Sequence, residues 1–465
     1  MKLEDIDLKK ISAIETDSRK CTPGCLFVAV EGNAVDGHKF IPKAIESGAR
    51  TVVYQNDGAF EKQEGITYVK VESSRKALAA LASEYYDNPS SKLNLVCVTG
   101  TNGKTTTATL LYRLFTSMGY ACGLISTIAN YVGEKRYHTE HTTPDPLELN
   151  ALLAQMVNEG CAYCFMEVSS HAVSQDRIAG LTFKGGIFSN LTHDHLDYHK
   201  TFDNYRDCKK AFFDGLPKDA FALVNIDDAN GEVMVQNCKA HIYRYSCKKM
   251  ADFKCRLLEE TMDGMQLVID GVQVWTRFIG AHNAYNLLAV YTTALVLGTQ
   301  ADEALLALSR LESAKGRLET LRGPKELCVV IDYAHTPDAL ENVLKTLREV
   351  AQDRQLICLF GCGGDRDKTK RPEMGAVAGR LADRIFITSD NSRSERTEDI
   401  IEDIKGGLDA AALARTVCIA DRREAIRTAI LLAPKGATIL LAGKGHETYS
   451  LRRRRQIPST SSAEK

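Results

Sequence analysis

Short apolar runs alternate with amphipathic segments along most of the chain. In its middle and final thirds, the runs that resemble buried strands cover residues 96–99, 122–126, 163–168, 186–191, 221–225, 329–333, 356–360, 384–388 and 437–441. Segments with helix-compatible spacing lie between them, at residues 106–116, 147–158, 280–297 and 340–351. Continuous apolar strands separated by helices predict parallel sheets that are covered on both faces. The expected fold class is therefore α/β.

The first 91 residues show the same alternation on a smaller scale. Strands are predicted at residues 25–30 and 51–54, and helices at residues 38–47 and 75–86. The polar, proline-marked residues that follow, 87–91, indicate a linker. A chain of 465 residues is long enough for about three domains. We expect them at residues 1–91, 92–316 and 317–465.

Composition narrows the class of protein. The chain is 44% hydrophobic with a net charge of -1, which indicates neither a nucleic-acid-binding surface nor a disordered chain. Its 14 cysteines are scattered and complete no zinc set, so we expect reduced, mostly buried thiols. The amino terminus has no apolar signal core, and no apolar run is long enough to span a membrane. These features favour a cytoplasmic protein that binds neither nucleic acid nor membrane.

The main motif joins a β-branched strand to a helix. Residues 100–106 have the sequence Gly-Thr-Asn-Gly-Lys-Thr-Thr, which is typical of a phosphate-binding loop. The backbone N–H groups before the helix would cradle phosphate oxygens. Lys104 would reach the β- and γ-phosphates, and the Thr105 hydroxyl would bind Mg²⁺. The first glycine of the usual pattern is replaced by Val98, so a chance turn is the alternative.

Polar residues follow the ends of two more central strands. Glu167 closes one strand, and a segment rich in His and Asp, residues 193–199, follows another. Ligands of parallel α/β sheets bind at this edge. A zinc site or a solvated loop is the alternative for the segment, but its mixture of Asp, His and Tyr is not a standard zinc set. Glu167 and a His or Asp of the segment are better suited to a second Mg²⁺, which favours oxygen ligands.

The second half of the chain holds further candidates. Asn283 and Asn286 lie three residues apart on one helical face, where they would hydrogen-bond an adenine edge or cap the helix. Asp332 stands near the end of a buried strand. A second glycine-rich loop contains Arg366 and Lys368 and therefore suits an anionic substrate.

Six motifs, taken together and in order, resemble those of the Mur ligase family. They are residues 99–106, 167–171, 194–199, 332–340, 361–372 and 443–447. The first motif is shared across the family and with folylpolyglutamate synthetase, whereas the later motifs are much more specific because several must coincide in order. Within the family, the chain resembles the branch that extends UDP-N-acetylmuramoyl-L-Ala-D-Glu. The resemblance covers nearly the whole chain. It implies a central P-loop parallel-sheet ATPase, flanked by an N-terminal UDP-binding α/β domain and a C-terminal Rossmann-like α/β domain.

The resemblance also implies an activity. In this family branch, an ATP-dependent ligase of peptidoglycan precursor synthesis forms an amide between small-molecule substrates. The D-Glu γ-carboxylate attacks the γ-phosphate of ATP to give an acyl phosphate, and the amino group of the incoming amino acid then displaces phosphate. We accordingly expect ATP and two Mg²⁺ ions as cofactors, and a monomeric enzyme.

Site residues carried over from the family fall into three groups. The nucleotide contacts implied are Gly100, Thr101, Asn102, Gly103, Lys104, Thr105, Thr106, Asn283, Arg317 and Asp332. The contacts implied for the UDP-sugar and its dipeptide are Ser18, Asn33, Ala34, Val35, Thr142, Thr143, Ser169, Gln175 and Arg177. The metal ligands implied are Thr105, Glu167, His195 and Lys209, the last as a carbamylated lysine. Of these residues, Lys104, Glu167, His195 and Lys209 are expected to be catalytic.

The incoming amino acid is expected to be meso-2,6-diaminopimelate. Residues implied to bind it are Arg366, Asp390, Asn391, Ser392, Arg393, Gly443 and Glu447. An arginine holds a carboxylate in a two-point fork, and Glu447 would pair with the ammonium group. L-Lysine lacks the distal carboxylate and would leave the fork without its partner. Ser392 stands where the family pattern has proline, which loosens the loop.

Other hypotheses remain beside this one. They are the lysine-adding ligase of the same branch, a sister ligase that adds D-Ala-D-Ala or glutamate, and an inactive homologue that only binds the UDP-sugar. The C-terminal tail also departs from the family, since residues 451–462 are arginine- and serine-rich. We expect the tail to be disordered or a frameshifted end, and not a nucleic-acid or membrane anchor.

Overall fold

The computed structural model describes residues 2–32, 35–58, 60–139, 141–192, 194, 196–445, 447, 449–452 and 455–458. These residues group into two compact units. The first comprises Met1–Phe253 and Thr292–Gly298, and the second comprises Lys254–Tyr291 and Thr299–Lys465. Each unit contains a largely parallel sheet with a buried core.

The first unit begins with a four-stranded parallel sheet. In sheet order, its strands are β1 (Ile14–Glu15), β2 (Leu26–Val28), β3 (Thr51–Tyr54) and β4 (Thr67–Lys70). Its helices are α1 (Ile41–Glu46) and α2 (Ser74–Tyr85), with short 3-10 helices at Leu3–Asp5, Leu8–Lys10, Gly37–Phe40 and Pro89–Lys92. The Ser73 side chain caps α2 by accepting a hydrogen bond from the backbone N–H of Lys76 at 3.3 Å.

A larger sheet follows in the same unit. Its strands are β5 (Asn94–Thr99), β6 (Cys122–Ile125), β7 (Asn130–Val132), β8 (Lys135–Tyr137), β9 (Tyr163–Glu167), β10 (Gly185–Phe188), β11 (Phe221–Asn225) and β12 (His241–Ser246). They run in the order β12-β11-β10-β5-β9-β6-β7-β8, and all pair in parallel except at β7. The helices are α3 (Lys104–Ser117), α4 (Pro146–Asn158), α5 (Ser170–Ser174), α6 (Leu196–His199), α7 (Phe202–Asp214) and α8 (Gly231–Met234).

The centre of this sheet brings three strand ends together. Consecutive apolar residues of β5, Leu95 to Val98, are fully buried, as expected for a strand covered on both faces. In register, Val98 is paired with Glu167 of β9, and Thr99 with Phe188 of β10. The loops after β5, β9 and β10 therefore leave the sheet side by side.

The second unit begins with three antiparallel strands and two helices. The strands are β13 (Phe253–Thr261), β14 (Gly264–Ile269) and β15 (Val272–Thr276), and the helices are α9 (Ala281–Val296) and α10 (Ala301–Ser309). Two glycines at the ends of these strands have positive φ: Gly264, the first residue of β14, at φ 148°, and Gly271, in the two-residue turn between β14 and β15, at φ 89°. Glycine adopts these positive φ values without the steric cost that a side chain would bring. Residues of α9 belong to both units.

A six-stranded sheet forms the rest of the second unit. Its strands are β16 (Glu319–Arg322), β17 (Cys328–Asp332), β18 (Leu356–Phe360), β19 (Arg384–Ile387), β20 (Thr416–Cys418) and β21 (Thr438–Ala442). They lie in the order β16-β17-β21-β18-β19-β20, and only β16 is antiparallel. Its helices are α11 (Pro337–Ala351), α12 (Lys370–Leu381), α13 (Thr397–Lys405), α14 (Ala410–Leu413) and α15 (Arg422–Leu432), with a 3-10 helix at Pro324–Glu326. Two separate apolar clusters cover the sheet.

The α/β class predicted from the sequence is confirmed, and the predicted strands recur with small shifts of their ends. The helix predicted at residues 38–47 begins as the 3-10 helix Gly37–Phe40 before α1. The tail differs from the expected disordered end, because β22 (Tyr449–Arg452) and β23 (Arg455–Pro458) form an antiparallel hairpin. Within the described ranges, every helix is too short or too polar to cross a bilayer.

Candidate active site

The loop after β5 has the geometry of a phosphate cradle. Gly100 at φ 147° and Gly103 at φ 86° allow the chain to turn sharply, and Gly103 is the residue from which α3 starts. The free N–H groups of a helix start are a natural site for an anion. Lys104 folds back over the loop, and its Nζ donates to the carbonyls of Gly100 and Thr101 at 2.9 and 2.8 Å. A cation is thus held at the point where phosphate oxygens would arrive.

A second segment, the residues after β10, clamps the loop from outside. The hydroxyl of Ser189 donates to the carbonyl of Asn102 at 2.6 Å. The Asn190 side chain makes two bonds with the Asn102 backbone, accepting from its N–H at 3.0 Å and donating to its carbonyl at 3.1 Å. The backbone N–H of Thr101 donates to the carbonyl of Asn190 at 2.8 Å. These bonds fix the shape of the loop without any ligand.

Gly100 is packed against this clamp, which yields a prediction. A Cβ atom at Gly100 would lie 2.0 Å from Ser189 Oγ, so we expect Gly100→Ala to weaken ATP binding more than tenfold and to lower the free energy of unfolding by about 2–4 kcal/mol. Gly119→Ala is the control, because Gly119 also has a positive φ, 91°, but a Cβ there meets nothing within 4 Å. Nucleotide titration and urea denaturation measure the two effects. Equal losses in both variants would show that backbone strain alone matters.

Glu167 is the centre of the hydrogen-bond network at the end of β9. It is fully buried, and its Oε2 accepts a bond from the Thr105 hydroxyl at 2.9 Å. Its Oε1 accepts from the backbone N–H of Thr127 at 2.7 Å. Thr105 and Glu167, predicted metal ligands, are therefore in direct contact, and their oxygen atoms match the preference of Mg²⁺. The predicted ligand His195 lies outside the described residues.

Lys209, on α7, is buried against the same loop. Its Nζ donates to the carbonyl of Gly100 at 2.9 Å and lies 5.0 Å from the centre of the Tyr205 ring. Burial, with a smaller effect from the nearby Lys104 cation, lowers the pKa of Lys209 well below its usual range. The same burial favours the uncharged form of the amine over the ammonium form.

The residues predicted to bind the muramoyl-dipeptide form one cluster beside Glu167. The Thr127 hydroxyl donates to Thr142 Oγ1 at 3.0 Å, and the Thr143 hydroxyl donates to the backbone carbonyl of Glu167 at 2.9 Å. Three further bonds complete the cluster. The Ser169 N–H donates to Thr143 Oγ1 at 3.2 Å, and the Arg177 guanidinium donates to the Thr143 carbonyl and to Gln175 Oε1, both at 2.7 Å.

The N-terminal candidates are only partly described. Ser18 is buried just after β1, and Val35 is 56% exposed. Asn33 and Ala34, predicted uridine contacts, lie outside the described residues. Sequence reasoning missed His38, which joins Asp36 to the residues after β3. Its ring contacts Asp36 Oδ1 at 2.6 Å and accepts bonds from the backbone N–H groups of Gln55 and Asn56 at 3.0 and 3.2 Å.

In the second unit, the predicted nucleotide residues form two groups. Asp332 is buried and accepts bonds from the backbone N–H groups of Leu318 and Ala334, both at 2.8 Å. Burial raises the pKa of Asp332, against the opposing effect of the Arg317 guanidinium. Asn283 donates to the carbonyl of Ile279 at 2.8 Å. This bond is local to the start of α9, and it does not distinguish the two roles predicted for Asn283, an adenine contact and a helix cap.

The residues predicted to bind diaminopimelate converge at the carboxyl ends of β18, β19 and β21. Asn391 donates to Glu447 Oε2 at 2.8 Å, and Arg393 Nη1 lies 3.4 Å from the Asn391 carbonyl. Gly443, at φ 103°, approaches Asp390 so closely that a Cβ would lie 2.8 Å from Asp390 Oδ2. The other two predicted residues lie where the loops after β18 and β19 meet. Ser392, which is buried, lies against Gly364, and Arg366, which is exposed, lies beside Gly363.

Sequence reasoning missed three buried cations in this region. Lys444 donates to Asn391 Oδ1 at 3.0 Å and to Glu447 Oε2 at 3.3 Å. Arg422 donates to the carbonyl of Ala442 at 2.8 Å, and Arg371 joins two carboxylates. The only sequence signal was that Arg371 and Lys444 lie within motifs of the family. That signal does not distinguish a buried charged residue from one on the surface.

Together these features define an α/β nucleotide-binding protein whose phosphate loop lies at the carboxyl edge of a parallel sheet. Three family models match successive parts of the chain: "Mur ligase family, catalytic domain" at residues 10–86, "Mur ligase middle domain" at 98–294 and "Mur ligase, glutamate ligase domain" at 316–445. A relative from Phocaeicola vulgatus is 54% identical over 95% of this chain and 91% of its own length. The chain belongs to the Mur ligase family, and it has the three-domain fold of that family with a central nucleotide-binding domain.

The names of the relatives are more specific. The Phocaeicola vulgatus protein is named UDP-N-acetylmuramoyl-L-alanyl-D-glutamate--2,6-diaminopimelate ligase. A solved structure with the same name superposes with a TM-score of 0.70 at 32% identity, covering 96% of this chain and 92% of that one. The MurF ligase of Thermotoga maritima, solved in complex with ADP, shares the fold, with a TM-score of 0.63 at 18% identity over 94% of this chain and 95% of that one.

Proposed function

We propose that this chain is an ATP-dependent amide ligase that joins meso-2,6-diaminopimelate to the D-Glu γ-carboxylate of UDP-N-acetylmuramoyl-L-Ala-D-Glu. The names of relatives at 54% and 52% identity support this substrate pair. The observation that carries the proposal is the joining of Arg393 to Glu447 through Asn391. That arrangement places a cation for a carboxylate and a carboxylate for an ammonium group on either side of one residue, Asn391.

Two groups of residues are proposed to bind one nucleotide. The loop Gly100, Thr101, Asn102, Gly103, Thr105 and Thr106 would hold the phosphates through its N–H and hydroxyl groups, and Lys104 would add its charge. Asn283, Arg317 and Asp332 are proposed to hold the rest of the nucleotide. The stacking of Arg317 on the Tyr333 ring, at 4.8 Å, and the two backbone bonds of Asp332 support a rigid contact surface there.

Two Mg²⁺ ions are proposed to be held by Thr105, Glu167, His195 and a carbamylated Lys209. Support comes from the contact between Thr105 and Glu167 and from the burial of the Lys209 amine beside the phosphate loop, which lowers its pKa and favours the uncharged form that adds carbon dioxide. Carbamylation would replace a potential cation by an anionic oxygen ligand, which suits this metal. When bound, such ions stabilise the negative charge of the transferring phosphoryl group.

The acceptor substrate is proposed to bind across the first unit. Ser18, Asn33, Ala34 and Val35 would contact the uridine end. The muramoyl-dipeptide would meet Thr142, Thr143, Ser169, Gln175 and Arg177, whose mutual bonds tie them to Glu167. The Arg177 guanidinium is the cation in this cluster and would attract the carboxylates of the dipeptide.

The reaction proceeds in two displacements. An oxygen of the D-Glu γ-carboxylate forms a bond to the γ-phosphorus of ATP, the bond from that phosphorus to the β,γ-bridging oxygen breaks, and ADP leaves. The amine of diaminopimelate then attacks the acyl carbon, giving a tetrahedral intermediate, and the bond to phosphate breaks as the amine loses a proton. Lys104 stabilises charge in the first step. The nucleophile of the second step is the substrate amine, so the mechanism requires no protein Ser or Cys nucleophile.

Phosphate release tests this proposal directly. Purified protein is given ATP, Mg²⁺ and UDP-N-acetylmuramoyl-L-Ala-D-Glu, with meso-diaminopimelate or L-lysine in separate tubes, and the Lys104→Met variant supplies the background. We expect release with diaminopimelate at least about tenfold faster than with lysine, because lysine leaves the arginine cations unpaired. Release with lysine alone would show that the protein is the lysine-adding ligase and not the diaminopimelate-adding ligase. If neither amino acid gave phosphate release, and the protein still bound the UDP-sugar, an inactive homologue would be favoured.

The domain boundaries and the state of the protein belong to the same proposal. We place the UDP-sugar domain at residues 1–91, the ATPase at 92–316 and the amino-acid domain at 317–465. The three family matches, which end or begin near residues 86, 98, 294 and 316, support these boundaries. A monomeric, cytoplasmic enzyme acting on small molecules is consistent with the substrates proposed.

A further inference from the structure

We propose that Arg371 and Glu395 form a positioning pair that sets the distance between Arg366 and Arg393, and thereby the preference for an amino acid with a distal carboxylate. The inference rests on the proposed function and adds residues that would not touch the substrate. The largest fully buried side chain in the described part of the protein is a charged one, Arg371.

Arg371 joins three segments of the second unit. Its Nη1 donates to Asp403 Oδ2 at 2.7 Å and to Glu395 Oε2 at 3.0 Å. Its Nη2 donates to Glu395 Oε1 at 2.9 Å and to the backbone carbonyl of Gly363 at 3.2 Å. The Arg371–Glu395 contact is a two-point fork, which fixes direction as well as distance. Arg371 thus ties the loop after β18, the loop after β19 and helix α13 to one planar group.

Glu395 continues the connection towards the predicted substrate residues. Its Oε1 also accepts a bond from the backbone N–H of Asp365 at 2.6 Å, one residue before Arg366. On its own loop, Glu395 stands two residues after Arg393. One carboxylate therefore holds the backbone next to each of the two arginines. The loops touch again where Arg393 Nη1 donates to the Gly364 carbonyl at 2.8 Å.

The two arginines meet at Gly363. A Cβ on Gly363 would lie 2.9 Å from Arg393 Nη1 and 3.7 Å from Arg366 Cγ, so both side chains border the same residue. Gly363 is also the residue whose carbonyl Arg371 holds. Recognition of a carboxylate by guanidinium groups depends on their spacing, and a displacement of about 1 Å in a supporting group is enough to cost most of the benefit. Arg371 is placed to prevent that displacement.

A lysine could not replace Arg371 in this role. Its single ammonium group cannot reproduce the planar fork that reaches two carboxylates and a carbonyl together. In such a protein Glu395 would keep its ion pair with Lys368 at 3.2 Å but would lose the two-point fork that fixes its direction. Its bond to the Asp365 N–H would then no longer fix the distance between Arg366 and Arg393. Lysine as a substrate needs no such spacing, because it has no distal carboxylate to hold.

The test separates binding of the amino acid from every other step. In Arg371→Lys and Glu395→Gln proteins, KM is measured for diaminopimelate, ATP and the UDP-sugar dipeptide, together with kcat/KM for lysine and the melting temperature. We expect KM for diaminopimelate to rise about tenfold or more, and the ratio of kcat/KM for diaminopimelate over lysine to fall by the same factor. KM for the other two substrates is expected to stay within about twofold.

Arg348→Lys is the matched control. Arg348 also bridges elements of the second unit, donating to Asp383 Oδ2 at 3.0 Å and to the Leu381 carbonyl at 2.8 Å, but it borders none of the predicted substrate residues. It is expected to change none of the three KM values. If Arg371→Lys fails to fold, Glu395→Gln decides the question, since it keeps the shape of the side chain.

Two results would overturn the inference. One is an unchanged KM for diaminopimelate and unchanged selectivity in the folded Glu395→Gln protein. The other is an equal change in all kinetic constants that follows the melting temperature, as a purely structural residue would give. Failure of the proposed function would look different, because the wild-type protein itself would then release no phosphate with diaminopimelate.

Discussion

Lys104→Met is expected to lower ATP-dependent phosphate release about 1,000-fold, equivalent to about 4 kcal/mol of transition-state stabilisation. The Nζ of Lys104 lies over the phosphate loop, bonded to the carbonyls of Gly100 and Thr101. In the proposed function, ATP would exchange these two bonds for contacts with its phosphate oxygens, and the charge would then stabilise the γ-phosphoryl group as it moves. Methionine fills a similar volume but carries no charge, so the loop would keep its packing and lose its electrostatic effect.

The measurement is initial-rate phosphate release with all three substrates, accompanied by a melting curve. Lys92→Met is the control, because Lys92 is an exposed lysine of the same unit that pairs only with Asp87 among the contacts described. It is expected to retain full activity. A Lys104→Met protein with more than about one tenth of wild-type activity would contradict the assignment of the loop as the γ-phosphate site.

Lys209→Ala is expected to lower activity by a similar factor, about 1,000-fold, and to recover part of it when acetate or formate is added. The wild-type amine is buried, and burial lowers its pKa, which favours the uncharged form that the proposed reaction with carbon dioxide requires. The carbamate would supply the anionic oxygen that a metal ligand needs. Alanine removes that group and leaves a cavity at the same point, in which a small carboxylate can supply an oxygen instead.

Lys210→Ala provides the comparison for this experiment. Lys210 is the next residue on α7 but turns away to pair with Asp214 at 2.7 Å, so its loss should cost little activity and give no recovery with acetate. Lys209→Arg is a second variant: it keeps a cation but cannot be carbamylated, and it is expected to be inactive with or without added carboxylate. An active Lys209→Arg protein would show that a cation, and not a carbamate, is needed here.

The parts of the site that sequence reasoning predicted are those encoded over short distances. The phosphate loop is a run of seven residues, and its backbone conformation follows from two glycines and the helix after them. Glu167 was predicted because strand ends of a parallel sheet meet at one edge. Its contact with Thr105 shows that this rule holds across 62 residues of separation.

Other features depended on information that is not local. Arg371 and Glu395 are 24 residues apart, and no pattern around either residue predicts their pairing. His38 likewise acts through backbone groups 17 and 18 residues away. The antiparallel strands β13–β15 are a different case. The two-residue turn between β14 and β15 is Asp270-Gly271, and an Asp-Gly dipeptide is a strong hairpin signal that our strand predictions did not use.

The position of Glu167 has a thermodynamic consequence. One carboxylate accepts the hydroxyl of Thr105, at the phosphate loop, while the carbonyl of the same residue accepts the hydroxyl of Thr143, in the dipeptide cluster. A ligand that draws Thr105 away from Glu167 would change the hydrogen bonding of Glu167, whose carbonyl also holds Thr143 in the dipeptide cluster. Any free-energy coupling between the two sites is reciprocal, so ATP must alter affinity for the UDP-sugar dipeptide by the same factor as the dipeptide alters affinity for ATP. A positive coupling would favour the state with both sites filled over either one alone and would limit idle hydrolysis of ATP, whereas a negative coupling would do the reverse.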